Sequence, residues 1–385
     1  AWLARDGDLL VEAREGPFAD REDLGFATYG FYDDRADGRL APQFLHALPA
    51  MQATVGAVFG PLAQMRLTGI LGGIALLAVF GVAQLLVGAW LALLAEVTLA
   101  VNLVFTYYAR APFSEVLALM FVFGGLWALW TAWETRSRTT ALCAGLLLGA
   151  TVMARIDGLV LVPPLLLVLA YERRRSGAPE DIDPLVGSVR MGLIGALAVA
   201  FADVLLVDPA YLGQLRGQVL ALAVAIGAVI VGDVLLGDRI ARWMGRGVAH
   251  RREAAAAAAA LIVLLMGFLY FVRPHVQEVR GSPYLIETVR GSDQVADATS
   301  RSFAEDSAHW LEWYLGPLGL ALGVAGWAVV TYRVVDGTGR RALPFLAVFS
   351  TATLLYLWRP SINPDHIWAM RRFVPVALPG LVILA

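Results

Sequence analysis

The sequence predicts an all-α fold, a polytopic transmembrane helical bundle with an extracytoplasmic N-terminal loop that carries interfacial helices. Three observations predict it. Apolar runs long enough to cross a hydrocarbon core of roughly 30 Å, about 20 residues as helix, recur along the chain. Of the 385 residues, 58% are hydrophobic and only 16% charged, with a mean hydropathy of +0.66, whereas a soluble domain keeps about a quarter of its residues charged. The few charges also gather in particular connecting segments. A soluble enzyme, a disulfide scaffold and a disordered chain are excluded.

Residues 1–40 hold ten acids and five Arg, with turn signals at Arg5-Asp6-Gly7 and Ala36-Asp37-Gly38, and read as water-exposed. Residues 40–61 are apolar but broken by Gln43, His46 and Gln52 and punctuated by Pro42, Pro49 and Pro61, which suits a helix lying in the interface. The division expected is therefore an extracytoplasmic loop over 1–66 and a multi-span domain over 67–385. About eleven spans are expected: 67–84, 91–109, 114–132, 139–154, 158–171, 191–207, 218–236, 254–272, 314–331, 343–358 and an incomplete one from Phe373. Pro163-Pro164 predicts that the 158–171 span is broken or only partly inserted. The run Ala254–Ala260 needs no function, since alanine is the best helix former.

Alternation of sides fixes the orientation. With 1–66 outside, the loops 133–138, 172–190, 237–253 and 332–342 fall inside and hold 14 Arg in 53 residues, against 16 in 138 outside. That is the direction the positive-inside rule demands. All 30 basic residues are Arg, which fits a GC-rich genome, so any basic phosphate contact other than from His must come from Arg. The net charge of −2 gives no reason to expect nucleic acid. The single cysteine, Cys143, excludes an internal disulfide. Without an initiator Met or signal peptide, and with a C-terminus inside an apolar run, the chain reads as a fragment cut at both ends.

Polar residues collect on the side of the acidic N-terminal segment. They are Arg110, Ser114 and Glu115 after the second span, Arg155 and Asp157 after the fourth, and Arg359, Asn363, Asp365, His366, Arg371 and Arg372 after the tenth. Ionisable residues at the membrane boundary are costly and often mark function. Snorkelling of each Arg to lipid phosphate, and a local pair between Arg110 and Glu115, are the plain alternatives. The 273–313 loop is long enough to act as a lid, while its Trp310 and Trp313 read better as interface aromatics. Glu96, Asp203 and Asp233 are scattered and form no clear relay.

Four segments, taken in order, resemble the GT-C superfamily of integral-membrane glycosyltransferases, in particular its protein O-mannosyltransferase and lipid A aminoarabinose transferase branch. They are Ala1-Trp2-Leu3-Ala4-Arg5-Asp6-Gly7-Asp8-Leu9-Leu10-Val11, Tyr108-Ala109-Arg110-Ala111-Pro112-Phe113-Ser114-Glu115, Arg155-Ile156-Asp157-Gly158-Leu159 and Arg371-Arg372-Phe373-Val374-Pro375-Val376-Ala377-Leu378-Pro379. The resemblance implies inverting transfer of a hexosyl or pentosyl unit from a polyprenyl-phosphate carrier to a lipid, glycan or protein acceptor, in a plasma membrane of prokaryotic type. It implies Glu115 and Asp157 as catalytic acids, with Glu115 also a ligand for a divalent cation such as Mg or Mn. Arg110, Arg155, Arg371, Arg372, His46 and His366 are the implied substrate and phosphate contacts. The family's general base would precede Ala1, so this stretch by itself is expected to be inactive; Asp33 and Asp34 are substitutes for it or a solvated turn. A secondary transporter and a noncatalytic multi-pass protein are the competing readings. A transporter would show internal repeats and broken helices near the midplane, and no repeat is found.

Overall fold

A computed structural model describes residues 3, 7–12, 31–32, 39–175, 182–246, 251–280, 301–360 and 369–385. Three short antiparallel strands, β1 (Val11–Glu12), β2 (Phe31–Tyr32) and β3 (Arg39–Pro42), pair in the order β1-β3-β2. Beyond them the described chain is helical. In order come α1 (Ala47–Phe59), α2 (Pro61–Val87), α3 (Ala89–Val101), α4 (Leu103–Arg110), α5 (Glu115–Thr135) and α6 (Arg138–Ala154). A 3-10 turn (Ile156–Leu161) leads to α7 (Val162–Arg174), α8 (Ile182–Val207), α9 (Pro209–Gln214) and α10 (Arg216–Arg246). The chain closes with α11 (Arg251–Gly267), α12 (Arg273–Val276), α13 (Ser307–Asp336), α14 (Leu343–Trp358) and α15 (Ala377–Leu384).

Among the described residues seven helices are long and apolar enough to cross a membrane, and the bent pair α3 and α4 makes an eighth. The remaining expected passes are shorter. α6 has 17 residues, and the Pro163-Pro164 segment is broken as the sequence predicts, into a 3-10 turn and a helix of 13 residues. From Gly158 to Arg174 these two pieces still rise roughly 27 Å, close to the thickness of the hydrocarbon core. The interfacial helix is α1, with Val58 and Phe59 exposed at its end.

Local chemistry sets the breaks. Asn102 splits the second pass: its side-chain oxygen caps α4 by accepting from the amides of Val104 (3.0 Å) and Phe105 (3.2 Å), and its NH2 donates to the carbonyl of Tyr314 (2.8 Å). The two halves meet at 64°. Inside α13, Gly316 at φ 75° takes a backbone conformation that a side chain would strain, and Pro317 follows it, so the helix kinks there.

Close approach sets the packing. A Cβ on Gly145 of α6 would lie 2.0 Å from the carbonyl oxygen of Val189, and one on Gly192 of α8 would lie 2.3 Å from that of Leu142. Small residues let membrane helices touch backbone to backbone. The pairings Gly145 with Val189 and Gly149 with Ala196 advance together, so α6 and α8 run parallel. One large apolar core joins the passes, and a smaller one (Leu48, Leu67, Leu71, Leu117, Ala118 and Ala154) fixes α1 over the start of α5 and the end of α6. Trp313 is exposed at 61%, as an interface aromatic should be, but Trp310 is buried at 3% in the large core. Starting α13 at Ser307 turns Trp310 inward, which corrects the interface reading for that residue.

Candidate active site

Four chain segments converge at one end of the bundle: the start of α5, the end of α6, the end of α14 and the turn before α15. Glu115 is the first residue of α5, where a helix N-terminus favours an acid. Arg155 is the residue that ends α6, where a cation is favoured. Asp157 lies in the following 3-10 turn, and Arg371 and Arg372 lie in the turn Met370–Arg372.

Arg155 holds both acids. Its Nε and Nη2 donate to Asp157 Oδ1 (3.0 Å) and Oδ2 (2.8 Å) as a two-pronged fork, and its Nη1 donates to Glu115 Oε1. Arg371 Nε donates to the same Glu115 oxygen, while Arg372 Nη1 and the Tyr356 hydroxyl (2.9 Å) donate to Asp157 Oδ2. Glu115 is fully buried, and its Oε2 has no partner among the described residues. The other charged side chains of the cluster are at most one-fifth exposed. Aromatic faces support the cations: Arg371 lies 5.0 Å from the Phe113 ring centre and Arg372 5.8 Å from that of Tyr356. Burial would raise the Asp157 carboxyl, but the charges of Arg155 and Arg372 outweigh it and hold the group well below the ordinary carboxylate range.

Among the described residues, three guanidiniums and two carboxylates make up the cluster. Guanidiniums gathered beside a tyrosine hydroxyl are suited to an anion, above all to a phosphate that guanidinium forks match in shape.

The sequence reading thus meets the structure in five residues, Glu115, Arg155, Asp157, Arg371 and Arg372, which come together. Arg110 stands apart: it is exposed at the end of α4 and makes no pair with Glu115. It borders an open, mainly apolar groove of about 390 Å³, lined also by Leu103, Thr106, Tyr107 and Ala111. His46 pairs with Asp203 of α8, Nδ1 to Oδ1 at 2.9 Å, instead of with the arginines. His366, Asp33, Asp34 and the centre of the 273–313 loop lie outside the described residues. Among the described residues no three His, Cys, Asp or Glu gather as a cation-binding set, and the engaged oxygen of Glu115 faces two guanidiniums. The described residues of the cluster do not fit a divalent cation.

Two residues escaped the sequence reading. Tyr356 is one hydroxyl among several in α14, with Ser350, Thr351 and Thr353, and nothing local marks it. Arg273 looks like any arginine at a span end, yet it is 1% exposed and donates to the carbonyls of Leu357 (2.6 Å) and Trp358 (2.7 Å), which closes the C-terminus of α14 just beyond Tyr356.

Comparison with protein families adds an independent finding. Residues 49–182 match the family model described as dolichyl-phosphate-mannose-protein mannosyltransferase. The match covers α1 to the first residue of α8 and includes Glu115, Arg155 and Asp157. The matched segment, about a third of the chain, is similar to GT-C superfamily glycosyltransferase domains. Together with the long apolar helices, this match supports a membrane glycosyltransferase in general class. No curated protein and no solved structure matches the chain.

Proposed function

We propose that the protein transfers a sugar from a polyprenyl-phosphate carrier to an acceptor hydroxyl on the extracytoplasmic side of a plasma membrane of prokaryotic type, with inversion at the anomeric carbon. The observation that carries this is the buried cluster of Arg155, Arg371 and Arg372 around Glu115 and Asp157. In such a reaction the acceptor oxygen forms the new bond to the anomeric carbon as the bond to the phosphate oxygen breaks. Negative charge then grows on the phosphate, where preorganised cations lower the barrier most. A guanidinium has five N–H donors, so Arg371 and Arg372 can hold their carboxylates and a phosphate together. Glu115 and Asp157 position these arginines, as Tyr356 does through Asp157.

Two further features support the reading. The groove beside Arg110 offers an apolar track for a prenyl segment, with a cation at its rim. The opposite end of the bundle carries the arginine-rich loops that the positive-inside rule assigns to the cytoplasm. Lipid, glycan and protein hydroxyls are all chemically suitable acceptors.

Turnover of polyprenyl-phosphate mannose by the purified full-length protein, with whatever sequence precedes Ala1, followed as release of polyprenyl phosphate, tests the proposal. Wild type should turn over, and Arg372→Gln should fall by about 10²–10³-fold. Absence of turnover in wild type with polyprenyl-phosphate sugars, or an unchanged rate in Arg372→Gln, would overturn it.

A further inference from the structure

Arg173, Arg174, Arg190 and Asp233 are spread over 60 residues of sequence and meet in one ion-pair cluster. They lie at the end of the bundle opposite the candidate active site, since α7 starts beside Asp157 and ends in Arg173 and Arg174. We propose that this cluster, with the open sides of α8 and α10, binds an acidic phospholipid of the leaflet at that end. Arg173 and Arg190 hold its headgroup phosphate, and its acyl chains lie along the two helices. The site takes no part in sugar transfer and stands apart from the function proposed above.

α10 meets the large core by one stripe. Val219, Leu222, Ile226 and Val229 recur at helical spacing and pack against it, and Asp233 is the next position of the same stripe. A carboxylate there is costly in lipid unless it is paired, and α7 and α8 supply the partners. Arg174 Nε donates to Asp233 Oδ1 (2.6 Å), and its Nη2 donates to the Asp233 carbonyl. The guanidinium lies so close over α10 that a Cβ on Gly237 would fall 2.2 Å from that Nε. Arg173 Nη2 (2.9 Å) and Arg190 Nη2 (3.3 Å) both donate to Oδ2. The carboxylate is 8% exposed, whereas Arg173 and Arg190 are each 30% exposed.

Arg174 on its own ties α10 to α7 through two acceptors. Arg173 and Arg190 bring two more positive charges to a single oxygen, each through one nitrogen. Cations held side by side repel unless a further anion lies against them. A guanidinium has five N–H donors, so each can keep Asp233 and also take a phosphate oxygen. Arg173 stands in the last turn of α7, and Arg190 stands where the apolar part of α8 begins, which is headgroup depth for both. The neighbouring acid Glu172 pairs with Arg175 at 3.7 Å.

Apolar surface continues from the two arginines. α10 packs along α7 and at most marginally on α8, although the short α9 joins the two at their far ends. Within one turn of the Arg190–Asp233 pair, Met191 and Ile194 of α8 and Ile230 and Val234 of α10 are each at least half exposed. A Cβ on Gly195 or Gly232 would meet nothing within 4 Å. Cations at the rim and apolar walls below suit a phosphodiester that carries acyl chains, and basic pockets between membrane helices hold acidic headgroups in this way. A water-soluble phosphate would gain nothing from the walls.

The test titrates the purified full-length protein, delipidated in neutral detergent, with dioleoylphosphatidylglycerol and with dioleoylphosphatidylcholine. Lipid retained is read by native mass spectrometry, alongside the thermal midpoint. Phosphatidylglycerol should bind saturably, at least about tenfold tighter than phosphatidylcholine, and raise the midpoint. Arg173→Gln combined with Arg190→Gln should weaken phosphatidylglycerol binding at least about tenfold. Arg190→Gln alone leaves Asp233 its two partners on α7 and should cost about fivefold, which keeps the test decisive if the double variant fails to fold. Arg341→Gln, at the same end in the exposed pair with Glu134, should keep wild-type affinity. Equal affinity for the two lipids, unchanged affinity in Arg190→Gln, or an equal loss in Arg341→Gln would overturn the proposal. So would displacement of the lipid by glycerol phosphate, which would mark the site as one for a soluble anion. Binding is read without turnover, so the outcome is separate from that of the transferase test.

Discussion

Glu115 accepts two guanidiniums on one oxygen and is fully buried, so its removal leaves Arg155 and Arg371 short of a counter-charge. Breaking a buried pair from one side costs about 3–5 kcal/mol, and Glu115→Ala should lower unfolding stability in detergent by that amount. The exposed Arg110 should tolerate Gln within about 0.5 kcal/mol; equal losses in the two variants would contradict the pairing. Asp157 makes a pH prediction. Its carboxyl is held below the ordinary value of 3.8 in the folded chain, so its stabilisation is complete above that value and disappears as pH falls through it towards the folded one. The wild-type thermal midpoint should therefore drop on acidification below about pH 4, and Asp157→Asn should start lower and show a flatter acid limb. At this scale the sequence was informative because a charge at a membrane boundary is costly and therefore conspicuous. The partners were not legible, since Glu115 lies 40 residues from Arg155 and 256 from Arg371.

The contact between α6 and α8 sets how the helix ends meet. Gly145→Val would drive a side chain into the backbone of Val189 and should cost more than about 1–3 kcal/mol, the usual price of overpacking. It should also reduce turnover by shifting the end of α6, which carries Arg155. Gly195→Ala, with open space around its Cβ, should change stability by less than about 1 kcal/mol. Thermal unfolding of the two variants checks both values. Hydropathy located these helices well but not their bends. The 91–109 span is a helix pair folded at Asn102, because one side chain that caps α4 and ties to Tyr314 outweighs an unbroken apolar run. Trp310 was misread for a related reason: the sequence shows an aromatic near a span end but not which way the helix face turns.

At the scale of the molecule, charge is sorted between two ends. The arginine–carboxylate cluster and the His46–Asp203 pair occupy one; Arg173, Arg174 and Arg190 around Asp233, with the Arg341–Glu134 pair, occupy the other. In sealed vesicles of a Cys143→Ser background, a membrane-impermeant maleimide should label Phe44→Cys and Arg341→Cys from opposite faces. Labelling of both from one face would contradict the arrangement. The general plan was legible because lipid imposes long apolar helices and an asymmetry of arginine. Its assembly depends on glycine contacts and buried ion pairs between distant segments, which no local pattern announces. The most direct measurement is equilibrium binding of polyprenyl phosphate to the purified protein and to Arg371→Gln and Arg372→Gln. Saturable binding by wild type, weakened at least about tenfold in each folded variant, is the expected result; equal affinity in all three would contradict a phosphate site at the cluster.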